Sequence, residues 1–106
     1  MEQSEKDALL EELRAKHGKI LIVEDEDFGL VVFRRPTKLE FRAFKSDRDD
    51  DGRKAVADET FAAKLVLHPS SSEFNTLLDT FPVLATNIAG QAMAAAGGSK
   101  LEVKKL

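Results

Sequence analysis

"KILIVEDEDFGLVVFRRPTKLEF", Lys19 to Phe41, changes its grammar twice. Lys19 to Glu24 and Phe28 to Arg34 are runs rich in Ile, Val, Leu and Phe, joined by the acidic run Glu24, Asp25, Glu26 and Asp27. β-branched and aromatic residues on either side of a polar connection read as a strand, a turn and a strand. Pro36 then closes the second strand, and Thr37 begins a different pattern: a hydroxyl, two spacers, Glu40 and Phe41. A threonine that accepts from the third helical N–H, with a glutamate reaching back to the cap N–H, is a capping box and predicts a helix from Thr37. A hairpin followed directly by helix makes the chain α+β.

Toward the N-terminus, Ala8, Leu9 and Leu13 lie among Glu5, Glu11, Glu12, Arg14 and Lys16, which predicts a narrowly amphipathic helix. Ser4 with Asp7 three residues on is its expected cap, and Gly18 its stop. Acidic residues early and Arg14, Lys16 and His17 late suit the helix dipole. Toward the C-terminus, Leu39, Phe41, Ala43 and Phe44 carry the Thr37 helix into the stretch "SDRDDDGRKAVADE", Ser46 to Glu59. A helix from Arg53 with Val56, Ala57, Phe61, Ala63, Leu65 and Leu67 is expected to end before Pro69, since the residue before proline disfavours helical angles. "PSSSEF", Pro69 to Phe74, repeats the capping grammar and opens a helix over Ser70 to Thr80. After Pro82, Leu84, Ile88, Ala92 and Ala95 recur at helical spacing until Gly97 and Gly98. The expectation is an N-terminal helix, a β-hairpin and a bundle of about four helices packed on it, as a single domain over residues 1–98 with a flexible tail at 99–106.

The composition narrows the function classes. A chain of 106 residues, 42% hydrophobic and 33% charged, suits one modest core. With no cysteine, disulfides, thiolate metal sites and a cysteine nucleophile are excluded. A net charge of −3 argues against wholesale capture of nucleic acid or an anionic membrane. The acidic, amphipathic start lacks the basic flank and apolar core of a secretory signal, and Phe81 to Gly98 is too interrupted to span a bilayer. A cytoplasmic protein without membrane partners is expected.

Several residues invite a chemical reading. Asp47, Asp49 and Asp51, then Gly52 and Asp58, follow calcium-loop spacing, although the closing position carries Asp rather than Glu and Lys54 stands where an apolar residue usually sits. The bland reading is a solvated acidic connector, and it is the one adopted. Arg34, Arg35, Lys38, Arg42 and Lys45 form the basic cluster, with Lys38, Arg42 and Lys45 along one helical side. No aromatic is interleaved there to stack bases, so a solvated face or an acidic protein partner is favoured over nucleic acid. His17 and His68 lack any ligand spacing. Ser70 is a cap, and Ser71 and Ser72 have no glycine-framed elbow. The Glu24 to Asp27 run reads as an exposed turn rather than paired catalytic carboxylates. Gly90 and Ala94, four apart, permit close helix approach, within the fold or in a homo-oligomer.

"VVFRRPTKLEFRAF" from Val31 and "LVLHPSSSEFNTLLDTFPVLATNIAGQAM" from Leu65 together resemble the small tail assembly chaperones, and related uncharacterised proteins, of tailed bacteriophages and prophages. In these a strand ending in Phe-Arg-x-Pro-Thr leads to an acidic-capped helix, followed by a His-Pro break, a "LLDxFP" helix and a helix of small residues. The likeness spans about two thirds of the chain, Val31 to Gly98. It implies a non-enzymatic, cofactor-free protein that binds the tape measure protein, the tail tube protein or both during assembly. No chemical role of a residue is carried over. A partner surface is expected where apolar helix, around Ile88, Ala92 and Ala95, meets the Lys38, Arg42 and Lys45 stripe. The alternative is a small regulatory module responsive to calcium or nucleic acid, and a third class is a carboxylate-based hydrolase.

Overall fold

The hairpin forms where its residue types place it. In the computed structural model, which describes residues 2–98, strand β1 (Ile20–Asp25) pairs antiparallel with β2 (Gly29–Arg34), in register from Ile20 opposite Arg34 to Asp25 opposite Gly29. Gly29 has φ 81°, a left-handed angle that glycine adopts without strain. The preceding helix α1 (Gln3–His17) stops at Gly18, φ 74°, as expected. It starts earlier than expected, because Glu2 rather than Ser4 is the cap residue and no side chain caps it.

Both capping boxes are present. Helix α2 (Lys38–Asp49) begins after Thr37, whose Oγ1 accepts from Glu40 N at 3.2 Å, while Thr37 N donates to Glu40 Oε1 at 2.9 Å. Helix α4 (Ser71–Thr80) repeats this with Ser70 and Glu73. Between them lie a single 3-10 turn (Lys54–Val56) and α3 (Ala57–Leu65). Helix α5 (Val83–Met93) widens into a last turn over Ala94–Gly98, in which Gly97 has φ 103°. The residues expected to form a tail, 99–106, lie outside the described residues.

One element differs from expectation. The helix from Arg53 does not run to Leu67; it ends at Leu65, and Val66–His68 forms a short strand, β3, antiparallel to β2. The sheet therefore has three strands in the order β1-β2-β3. β2 is central, and Val31, Val32 and Phe33 are all fully buried because both faces of the sheet are covered. On one face, Leu10 and Leu13 of α1 pack over Val32, with Ile20, Leu30 and Leu67 alongside. On the other, Val31 and Phe33 join Phe61, Leu65, Phe74 and Ile88 from the helices. α3 packs against both α2 and α5, and the Phe44 and Phe61 rings stack across the α2–α3 contact with centroids 4.1 Å apart.

Candidate functional site

The basic stripe stands on α2 as its spacing requires. Lys38, Arg42 and Lys45 are all exposed, and none takes part in an ion pair among the described residues. On a helix their directions fall within one narrow sector. Phe41 lies to one side of that sector and Leu39 to the other. Leu39 is 75% exposed, an apolar side chain that the core does not use. On the Phe41 side the chain forms a groove of about 440 Å³ between the first turn of α2 and the end of α5, lined by Pro36, Thr37, Lys38, Phe41, Met93 and Ala96. The cationic stripe thus borders an apolar groove.

The apolar half of the expected surface is different. Ile88 and Ala92 are fully buried and belong to the core, and Ala95 is only partly exposed. Their periodicity marks a buried face, and α3 and α4 already pack against α5. Met93 and Ala96, one residue further along in each case, face the groove instead. Gly90 and Ala94 point to solvent, and a Cβ added at Gly90 would meet nothing within 4 Å, so the small pair serves no helix contact within the fold.

Arg34 leaves the basic cluster altogether. Its Nη1 and Nη2 donate to Glu40 Oε1 and Oε2, each at 2.7 Å, and Nη2 also donates to the Lys64 carbonyl at 3.1 Å. One guanidinium thus joins the end of β2, the first turn of α2 and the last turn of α3, where a carbonyl has lost its helical partner. The Arg34 hydrogen bonds, together with the Thr37 N–H, hold the Glu40 carboxyl at a pKa of about 2, against the opposing effect of partial burial. The same pairing raises Arg34 above its ordinary value. Sequence reasoning missed this pair because Arg34 and Glu40 are six residues apart across a proline, a spacing that belongs to no regular element.

The aspartate-rich stretch is spread over three pieces of structure. Asp47 in the last turn of α2 faces Arg53 at 3.5 Å, and Asp50 accepts from Gly52 N at 2.8 Å and from Arg53 at 3.2 Å. Asp51 faces Lys54, while Asp58 on α3 accepts from the Thr86 hydroxyl at 3.0 Å. Among the described residues no three His, Asp or Glu side chains come together as a metal site. The Glu24 to Asp27 carboxylates are exposed on the hairpin turn, where Lys6 meets Glu24 at 2.7 Å and Asp25 accepts from Asp27 N at 2.7 Å. Ser70 Oγ is engaged with Glu73. His17 is exposed at the end of α1, and His68 closes β3.

A second groove, of about 500 Å³, was not expected from the sequence. Phe28 meets Phe81 edge-on at 5.4 Å, and together with Val23 and Val83 they line it, with Glu24 and Asp25 also at its wall. Val83 is 73% exposed. No helix among the described residues is long and apolar enough to cross a membrane.

No family model matches the chain, and no curated protein matches it either. Among solved structures, it is similar to an uncharacterised protein of Bacillus stearothermophilus, RBSTP2171, with 21% identity and a TM-score of 0.75 over 91% of this chain and 99% of that one. That likeness establishes a shared α+β fold.

Proposed function

We propose that this protein is a non-enzymatic binding protein of the tail assembly chaperone type, which holds a long helical tape measure protein, a tail tube protein or both in the host cytoplasm during virion assembly. The observation that carries the reading is the apolar groove between α2 and α5, bordered by the exposed Lys38, Arg42 and Lys45 stripe with Leu39 beyond it. An amphipathic helix gains affinity by laying its apolar side into such a groove. A cationic border raises the association rate and selects acidic flanks on the partner. The order of strand, capped helix, His-Pro break and small-residue helix from Val31 onward supports the same reading by resemblance.

The test is co-expression with a tape measure protein of a tailed bacteriophage, taken from the same genome. A soluble complex that survives purification is expected. Leu39→Glu, at a position the core does not use, should weaken it without lowering the melting temperature, and so should the pair Lys38→Glu and Arg42→Glu. A complex indifferent to all three substitutions places the partner elsewhere and removes this groove from the account.

A further inference from the structure

We propose that the outer edge of β1 pairs antiparallel with the same edge of a second copy of this chain, across a two-fold axis through Ile22. Among the described residues β1 has a partner on one side only, so one row of its N–H and C=O groups is unpaired. The two edges of the sheet are built differently. β3 is three residues long, its register shifts against β2, and Pro69 ends it, all features that blunt an edge. β1 is six residues long, has no proline and pairs with β2 without interruption. It is half-buried along Ile20, Leu21 and Val23, and Ile22 is 39% exposed, whereas Val31 to Phe33 of β2 are fully buried.

The charges at the two ends of β1, Lys19 just before it and Asp25 at its close, select both the occupant and the register. Two copies related by a two-fold pair edge to edge only if the axis is perpendicular to the sheet, which keeps each face on its own side and centres the register on one residue. Centred on Leu21, Lys19 would oppose Val23. Centred on Val23, Leu21 would oppose Asp25 and Ile22 would oppose Glu24. Centred on Ile22, Leu21 opposes Val23, Ile22 opposes itself, Ile20 opposes Glu24, and Lys19, just before the strand, opposes Asp25 at both ends. Lys19 and Asp25 are exposed, and neither forms an ion pair among the described residues. Of the three, this register alone sets Lys19 against an opposite charge within β1, and two three-stranded sheets become one of six strands.

Sedimentation equilibrium from micromolar to millimolar concentration should show a reversible dimer. Lys19→Asp and Asp25→Lys each put like charges together at both ends and should raise the dimer dissociation constant about tenfold. The double variant Lys19→Asp with Asp25→Lys restores opposite charges and should return to within about twofold of the parent. In isotope-filtered NMR, the methyls of Leu21 and Val23 should show contacts between copies. A chain that stays monomeric throughout, a double variant no better than the singles, or a dimer lacking those methyl contacts overturns the proposal. None of these outcomes bears on the α2–α5 groove, which lies on other elements.

Discussion

Arg34 and Glu40 concentrate more of the fold's connectivity than any other charged pair among the described residues, because the guanidinium reaches α2 and α3 from the end of β2. The Glu40 side chain is 19% exposed, so the pair is screened less than a surface bridge. The two capping boxes allow its contribution to be isolated. Glutamine keeps the acceptor a capping box needs but loses the charge. Glu73→Gln should therefore cost only about a few tenths of a kcal/mol, and Glu40→Gln about 1–2 kcal/mol, measured by urea denaturation at neutral pH. The sign with pH follows from a folded pKa of about 2 against an ordinary 4.5. The unfolded chain binds the proton more readily, so the stabilisation is complete above about pH 5 and is lost as pH falls toward 2. Glu40→Gln should remove that part of the acid slope. An unchanged slope in the variant means that the ion pair is not formed in solution.

The elements show where local pattern suffices and where it does not. The hairpin, the two capped helix starts and the Gly18 stop are legible because each rests on contacts between residues close in sequence. β3 was not legible: Val66 to His68 continues a helical spacing from Phe61, and only the open side of β2 makes it a strand. The continuous apolar run Val31, Val32, Phe33 was the available signal, since a strand buried on both faces does not alternate. Ile88 and Ala92 illustrate the complementary limit. Periodicity identifies the face that is buried, and it says nothing about whether a partner or the chain itself buries it. On the opposite side of α5, Gly90 has open space at its Cβ position and ordinary helical angles. Gly90→Ala should accordingly stabilise the protein by about 0.5–1 kcal/mol through helix propensity, read as a rise in melting temperature. A loss of stability would show that this face is packed in solution. The aspartate stretch yields a further expectation at this scale. A cation at 100 times its dissociation constant would add about 2.7 kcal/mol. With Asp47 and Asp50 both turned to Arg53, Asp51 to Lys54 and Asp58 to Thr86, millimolar calcium should leave the melting temperature where magnesium leaves it.

At the scale of the whole molecule, the sheet lies between α1 and the remaining helices, and the side chains left over from that packing sort by position. Leu39 and the α2–α5 groove carry cations at their border, while the Phe28–Phe81 groove beside Val83 has the acidic residues Glu24 and Asp25 in its wall. The two grooves lie at opposite ends of α5, one at its first turns and one at its last, so a charge-changing substitution at one is not expected to alter the other, and binding can be assigned between them. Of the candidate surface, the Lys38, Arg42 and Lys45 stripe was legible from helical spacing. The groove beside it was not, because it exists only once α5 is laid against the start of α2. The most direct measurement is therefore affinity purification of the protein co-expressed with a phage tape measure protein, the proposed partner, comparing the parent chain with Leu39→Glu and with Val83→Glu. A complex is expected with the parent and with Val83→Glu, and its loss with Leu39→Glu at unchanged melting temperature. Failure of the folded parent to form a complex, or retention with Leu39→Glu and loss with Val83→Glu, would contradict it.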